Sequence, residues 1–158
     1  MAAAAEFPRC FSQSAPAILL SASIQSARGE PPRRANRVNL IGCDDRFSQL
    51  GPSGPGQLVG GSGITINQAL ADALGIAEPG EEALLRLPEA ASIPSDSPLG
   101  NKEETIRRAR VTVSRIIPNE GLGRFSLRAS QSVPKNAFVP LGWLQERLDQ
   151  PGRANAIF

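Results

Sequence analysis

The amino-acid sequence contains no histidine and no tyrosine among its 158 residues. The missing histidine excludes Ser-His-Asp and Cys-His nucleophiles, histidine-containing zinc sites and an imidazole base that works near neutral pH. Carboxylates, lysine, arginine, serine and two cysteines are the reactive groups that remain. We therefore expect a domain that is not an enzyme, and we assign no catalytic residue, no cofactor-binding residue and no metal ligand.

The sequence is also poor in cysteine. Cys10 and Cys43 are too few for a disulfide framework or for a four-thiolate metal site. They either form one bridge or stay unpaired as small core residues, and the sequence leaves both arrangements open.

Long apolar runs and a strong net charge are absent as well. The longest apolar candidates, Ala2–Ala5 and Ala17–Leu20, fall far short of the roughly 18 residues that span a bilayer. The opening residues also lack the basic and apolar regions of a secretory signal. A net charge of +2 is too small to attract a polyanion. We expect a soluble chain that does not bind nucleic acid.

Glycine and proline are abundant instead, with 15 Gly and 14 Pro beside 41% hydrophobic residues. This composition is rich in loops but can still bury a core. We predict an α+β fold with a mixed or antiparallel sheet, two or three short helices and long Gly/Pro-rich loops. The predicted domain covers residues 15–158, and residues 1–14 are expected to be a disordered leader or cloning remnant. The three long interruptions are Gly51–Gly63, Pro88–Glu104 and Pro118–Pro134.

Alternating apolar residues predict the strands. The first two strands are joined by the polar turn Arg28–Arg34 and are expected to form a hairpin. The sequence shows no internal repeat. The predicted extended segments are Pro16–Ile24, Asn36–Cys43, Ile64–Ile66, Ala83–Leu87, Thr105–Ile117, Ala137–Val139 and Ala154–Phe158.

Capping residues and apolar spacing predict the helices. Asn67 is a suitable N-cap for Gln68–Leu74, and Gly75 is a suitable left-handed stop. Pro140 is placed to open a helix that presents leucines at helical spacing. Asp45–Leu50 is expected to make one further helical turn.

Two short patterns resemble catalytic or phosphate-binding motifs. Gly51–Gly63 lacks the Gly-Lys-Ser/Thr ending of a phosphate loop and precedes a strand, so we interpret it as a plain loop. Ser132 and Lys135 have the Ser-x-x-Lys spacing of acyl-transfer enzymes, but Pro134 disfavours the required helix and no Lys-Thr-Gly partner exists. We interpret this spacing as a chance match.

The charged and aromatic clusters have simple structural interpretations. Adjacent carboxylates point to opposite faces of a strand, so the pairs Asp44/Asp45, Glu81/Glu82 and Glu103/Glu104 are expected to be solvated. The arginines at 107, 108, 110 and 115 indicate a polar sheet face or docking surface in preference to a polyphosphate site. Core or turn anchors are expected at Phe47, Phe125, Phe138 and Trp143.

Several stretches taken in order are more specific. Asn39–Phe47, with its Gly-Cys-Asp turn, precedes Ile64–Gly75, which contains Asn-Gln-Ala-Leu-Ala-Asp-Ala-Leu-Gly and is followed by Pro79-Gly80-Glu81. Asn136–Gln145 and Arg153–Ile157 come later. This ordered set resembles the MacB-like extracytoplasmic core domain of FtsX/MacB/LolC-type ABC transporter permeases, over about residues 15–158.

The resemblance implies a non-catalytic mixed α and β domain on the extracytoplasmic side of a bacterial cell membrane. It implies that the domain lies between the first and second transmembrane helices and relays ATP-driven motion to a substrate or an adaptor protein. The implied partners are a cytoplasmic ABC ATPase, a second copy of the permease or an adaptor. The chain is then expected to be the soluble middle of a longer membrane protein.

Two departures from the family pattern keep alternatives open. The flanking membrane helices are absent, and Cys43 stands at a strand end where an aliphatic residue is expected, which leaves a redox role open. The alternative function is a stand-alone periplasmic or secreted domain that binds a ligand or peptide with its 88–104 and 118–134 loops. A carboxylate-dependent hydrolase is the third hypothesis, and it requires two acids that converge in one pocket.

Overall fold

The computed structural model describes residues 14–51, 58–61, 63–87, 107–128 and 131–158. The predicted leader, apart from Ser14, and the predicted 88–104 excursion lie outside these residues. The elements are β1 (Pro16–Ser26), β2 (Arg34–Cys43), α1 (Asp45–Ser48), β3 (Ile64–Asn67), α2 (Gln68–Leu74), β4 (Glu82–Leu87), β5 (Arg107–Ile117), a 3-10 turn (Gly121–Arg124), β6 (Asn136–Pro140), α3 (Leu141–Leu148) and β7 (Ala156–Ile157).

The fold class is α+β, as predicted, because three short helices accompany one mixed sheet. Two strand pairs are parallel, β2 with β6 and β3 with β5. The other pairs are antiparallel, including the predicted β1–β2 hairpin. The sheet can contain both parallel and antiparallel pairs because the chain has long connections between strands. Parallel neighbours need such a connection, since a tight turn cannot join them.

The sheet closes on itself, which the sequence did not predict. Its strand order is β2-β6-β3-β5-β4-β1-β7, and β1 also pairs with β2 at the start of that series. Strand β1 therefore binds β2 along one side and β4 and β7 along the other. Six strands, β1 to β6, form a closed ring, so the sheet is a small β-barrel with β7 added at β1.

The barrel repeats itself. Strands β1, β2 and β3 followed by α2 have the same connectivity as strands β4, β5 and β6 followed by α3. The antiparallel pair β1–β2 matches β4–β5, and the parallel pair β2–β6 matches β5–β3. The two remaining pairs, β1–β4 and β3–β6, join equivalent strands in antiparallel fashion. This pairing pattern is that of a two-fold repeat.

The alternation of the strands fills the inside of the barrel with aliphatic side chains. On β5 the predicted inner residues Ala109, Val111 and Val113 are buried, while Arg108 and Arg110 are exposed. Helices α2 and α3 add Leu70, Leu74 and Leu144 to the same core. Burial of these side chains is the main stabilising contribution to the barrel.

A second apolar cluster covers part of the outside of the barrel. Ile41, Cys43 and Phe138 point outward from β2 and β6 and are buried. The rings of Phe47, Phe125 and Phe158 cover this cluster and meet edge to face, with centroids 5.4 to 5.5 Å apart. The predicted anchor role of Phe47, Phe125 and Phe138 is therefore confirmed, and half-buried Trp143 packs against the inner core.

The helix signals in the sequence act as expected. Asn67 Oδ1 accepts a hydrogen bond from the Leu70 N–H (3.1 Å), and Gly75 ends α2 with a left-handed φ of 70°. Helix α3 begins directly after Pro140 and packs Leu144 closely over Gly42 of β2. An added Cβ at Gly42 would lie 2.6 Å from Leu144 Cδ2 and 3.2 Å from Leu144 Cβ, so a larger residue would force Leu144 to move.

Several predicted boundaries differ from the observed ones. Strand β2 begins at Arg34 because its pairing with β1 continues past a β-bulge. Strand β7 is shorter than the predicted Ala154–Phe158, and the 3-10 turn interrupts the loop predicted over Pro118–Pro134. The first two residues of the predicted Thr105–Ile117 strand lie outside the described part of the chain.

Candidate functional site

A groove of about 460 Å³ runs between the outer face of the β1–β2 hairpin and the loop that precedes β6. Its volume is within the range of about 300–1,000 Å³ that is typical of ligand sites. Among the described residues that line it, two are arginines and none is acidic. The lining consists of Leu19, Leu20, Ser21, Arg37, Asn39, Leu40, Ile41, Phe125, Ser126, Leu127, Arg128 and Pro134.

Asparagines hold the loop wall of this groove against the barrel. Buried Asn136 donates through Nδ2 to the carbonyl oxygens of Phe125 (2.8 Å) and Gly123 (3.2 Å). Its Oδ1 accepts a hydrogen bond from Asn39 Nδ2 (3.0 Å), which joins the loop to β2. Asn67, also buried, donates to the Gly123 and Pro134 carbonyls at 2.8 and 2.7 Å. A fully bonded buried network of this kind fixes its surroundings, so the groove is preformed.

The loop wall presents an apolar side chain to solvent. Phe125 is held by its contacts with the rings of Phe47 and Phe158. Leu127, two residues further on, is 68% exposed at the groove rim. Its neighbour Arg128 is exposed as well. The rim therefore combines an apolar and a cationic side chain on a loop whose base is fixed.

The opposite rim contains a strained arginine. Strand β2 has one extra residue opposite Ser23, where Asn36 and Arg37 form a β-bulge. Arg37 has a φ of 54°, in the left-handed region that costs a non-glycine residue about 1 kcal/mol. Bulges and strained backbone of this kind often aim a side chain at a binding site. Here they place Arg37 in the groove lining.

A row of arginines crosses four strands beside the groove. Arg34 Nη2 of β2 donates a hydrogen bond to Ser23 Oγ of β1 (3.3 Å). Ser23 is the cross-strand partner of Arg86 on β4. Arg86 is in turn the cross-strand partner of Arg108 on β5. Like charges directly opposite each other destabilise a sheet. Arg86 Nη2 donates to Gln25 Oε1 of β1 (3.2 Å), whereas Arg86 Nε is buried without a hydrogen-bond partner in the described structure. Arg108 has no ion pair among the described residues. We call Arg34, Arg86, Arg108 and Arg110 the arginine row.

The sequence located this row only in part. Arg108 and Arg110 were predicted on a polar sheet face and lie there, with Arg110 3.8 Å from Glu82. Arg107 instead donates to the Arg147 carbonyl (2.7 Å), and Arg115 is exposed further along β5. Sequence reasoning missed Arg34, Arg37, Arg86 and Arg128. The apolar alternation of β4 places Arg86 outward, but only the strand register shows that it faces Arg108.

The predicted carboxylate pairs separate in the structure. Asp44 caps α1 and binds the Arg46 guanidinium, whereas Asp45 is exposed. Glu81 accepts a hydrogen bond from the Ala77 N–H (3.3 Å), and Glu82 lies by Arg110. Glu103 and Glu104 are outside the described residues.

A shallow hollow of about 760 Å³ beside the hairpin turn does bring two carboxylates to one place. It is lined by Glu30 and Glu82 together with Arg110. No Asp or Glu in the described ranges is buried, whereas general-acid carboxyls usually depend on burial. No group of three or more potential metal ligands occurs among the described residues.

The remaining motif residues lie apart from the groove or serve its structure. Residues 132–135 are not helical, and the Lys135 carbonyl accepts a hydrogen bond from the Asn39 N–H (2.8 Å). Most of Gly51–Gly63 lies outside the described residues. Cys43 is a buried free thiol, and burial, reinforced by Asp44 and Asp45, raises its pKa from 9.0 to about 12. Such a thiol is protonated and unreactive at neutral pH.

No protein-family model matches the chain, and no curated protein matches its sequence. The permease resemblance therefore stays a prediction. Within the described residues, no helix is both long enough and apolar enough to cross a membrane.

Proposed function

We propose that this chain is the extracytoplasmic domain of an FtsX/MacB/LolC-type ABC permease. The observation that carries the proposal is that the chain enters and leaves the described barrel at neighbouring residues, Ala15 and Phe158. The Ala15 N–H donates to the Phe158 carbonyl (2.8 Å), and the Phe158 N–H donates to the Ala15 carbonyl (3.0 Å). A domain inserted between two membrane helices must receive and return the chain at one place, and adjacent ends permit such an insertion.

The positions of the resembling stretches also support the proposal. Asn39–Phe47 forms the end of β2 and the start of α1, and Ile64–Gly75 forms β3, α2 and its left-handed stop. Asn136–Gln145 and Arg153–Ile157 contribute β6, the first residues of α3 and β7. This order of elements agrees with the order that the resemblance implies, and that agreement supports the proposal.

In this role the domain catalyses nothing. It transmits ATP-driven motion of the membrane helices to a substrate or an adaptor protein on the extracytoplasmic side of a bacterial membrane. A cytoplasmic ABC ATPase supplies that motion, and a second permease copy or an adaptor is the expected neighbour. The closed barrel suits such a role because closely packed interiors transmit strain with little compression.

The test is to read the genomic DNA on both sides of this reading frame. We expect it to encode one apolar stretch of about 20 residues upstream and three downstream, with an ABC ATPase gene nearby. Finding neither the apolar stretches nor the ATPase gene would overturn the permease proposal.

The alternative is a stand-alone periplasmic or secreted domain that binds a ligand or peptide. The preformed groove, one wall of which is the predicted 118–134 loop, favours this second function. The same genomic sequence distinguishes the permease domain from the stand-alone binding domain. A stand-alone domain needs an export signal and has no flanking membrane helices.

A further inference from the structure

We propose that the groove and the arginine row form one recognition surface for an acidic polypeptide segment that carries an apolar anchor side chain. The anchor occupies the groove beside Leu127, and the carboxylates of the segment bind the arginines. The inference concerns this chain's own surface, so it holds or fails independently of flanking membrane helices.

The two parts of the surface are continuous along the hairpin. Ser21 lines the groove, and Ser23 belongs to the cross-strand series of the arginine row. They lie on the same face of β1, about 7 Å apart at the usual rise of a strand. Arg37 stands at the bulge opposite Ser23, between the groove and the row.

Charge is concentrated on this surface. The arginine row, Arg37 and Arg128 contribute six positive charges, and Glu30 and Glu82 contribute two negative charges, whereas the whole chain has a net charge of +2. The rest of the chain is therefore net negative. The opposed pair Arg86 and Arg108 keeps a repulsion that a carboxylate bound beside exposed Arg108 would relieve.

The dimensions of the surface favour a polypeptide. The row follows four neighbouring strands at about 4.8 Å spacing, so it curves around part of the barrel over roughly 14 Å, a path that four or five extended residues can follow. The outward residues of the row are arginine, serine, glutamine and leucine. Binding of single-stranded nucleic acids uses aromatic side chains for stacking. The described row has none, and the ring of Phe125 in the groove is packed edge to face against Phe47 and Phe158, so an acidic peptide is the better match.

The test uses the purified chain and fluorescein-labelled peptides in an anisotropy titration. The probe has glutamates on both sides of a central leucine–phenylalanine pair. Two matched probes replace the glutamates by glutamine or the apolar pair by serine. We expect saturable binding of the first probe that weakens at high salt, and markedly weaker binding of both matched probes.

Variants assign the two halves of the surface. Arg86→Gln with Arg108→Gln should raise the dissociation constant about threefold to tenfold, the range of exposed charge pairs. Leu127→Ser should raise it about tenfold through lost apolar contact. Arg33→Gln is the matched control, since its side chain lies against Gly75, and it should leave binding unchanged. Exposed Arg108→Gln alone replaces the double variant if the latter is unstable.

Four outcomes would overturn the proposal. The first is no saturable binding, and the second is equal affinity for the glutamate and glutamine probes. The third is an affinity that neither the arginine variants nor Leu127→Ser change. The fourth is tighter binding of a labelled single-stranded oligonucleotide, which would make the surface a nucleic-acid site. None of these results bears on the flanking DNA, so the permease proposal is tested separately.

Discussion

Arg86 and Arg108 oppose each other on neighbouring strands, which is an unfavourable arrangement for a sheet. Arg108→Glu would replace the repulsion across this strand pair by an attraction. We expect it to raise the free energy of unfolding by about 0.5–1 kcal/mol, measured by urea denaturation, while it weakens binding of the acidic probe. A variant that is more stable and binds less would show that the pair is kept for recognition.

Arg110→Glu is the matched control for this charge reversal. Arg110 is paired with Leu84 and lies 3.8 Å from Glu82. The substitution removes an attraction and adds a repulsion, so a slight loss of stability is expected. If both reversals changed stability in the same direction, local charge pairing would not be the cause.

The buried thiol of Cys43 makes stability depend on alkaline pH. Burial raises its pKa in the folded chain from 9.0 to about 12. The folded state therefore holds the proton more tightly than the unfolded state, and the resulting stabilisation is full below pH 9 and is lost as the pH rises through 12. In a Cys10→Ser background, we expect the equilibrium constant for folding to fall by up to about tenfold per pH unit between pH 9 and about pH 12.

Urea denaturation at several pH values measures this effect, and Cys43→Val in the same background is the control. The sequence has no tyrosine and two lysines, so few other groups titrate there. The variant should show a distinctly flatter pH dependence. An equally steep dependence in both chains would mean that Cys43 does not contribute it.

At the scale of elements, capping residues and apolar alternation in the sequence correctly predicted the features that interactions between nearby residues determine. The Asn67 cap and the Gly75 stop define α2, and the inner face of β5 follows from its alternation. The 3-10 turn at Gly121–Arg124 was not predicted because it is held from outside, by buried Asn67 and Asn136 that bind the Gly123 carbonyl. The same long-range bonds fix the groove wall, so the sequence could name the 118–134 loop as a binding loop but could not predict that it faces the β1–β2 hairpin.

The contact of α3 with β2 depends on Gly42. Gly142, which lies in α3 itself, provides the control substitution. Gly42→Ala would push a methyl group into Leu144, and we expect a loss of about 1–3 kcal/mol, as for overpacking in a tight core. Gly142→Ala, within α3 and with nothing inside 4 Å of an added Cβ, should gain about 0.5–1 kcal/mol through helix propensity. Urea denaturation measures both, and equal effects would contradict the packing argument.

At the scale of the whole molecule, the closed ring depends on pairings that leave no local signature. The parallel pairs β2–β6 and β3–β5 join distant residues, and each strand of a pair is compatible with many partners. The repeat is also hidden, since equivalent positions hold different residues. Asn67 and Pro140 precede the equivalent helices, and Gly75 and Asp149 end them in the same left-handed conformation.

Strand β1 closes the barrel, and Ala15 lies beside Phe158. A circularly permuted chain tests both features. A chain that runs from residue 30 to 158, continues through a linker of about four glycines and serines and ends with residues 14–29 keeps every strand pair. It opens the exposed hairpin turn at Gly29 and closes the ends at Ala15 and Phe158. We expect it to unfold cooperatively, within about 2 kcal/mol of the parent, with Trp143 fluorescence and urea denaturation as the measurements.

The control for the permutant is the fragment 30–158 without the linker and residues 14–29. It lacks β1, which pairs with β2, β4 and β7, so the ring opens and the inner core loses buried Ile18 and Ile24. Because exposing such a core costs several kcal/mol, we expect this fragment not to fold. A fragment as stable as the parent would show that β1 does not close the barrel. A permutant that fails to fold would show that the adjacent ends cannot be joined, and would weaken the case for a domain inserted between two membrane helices.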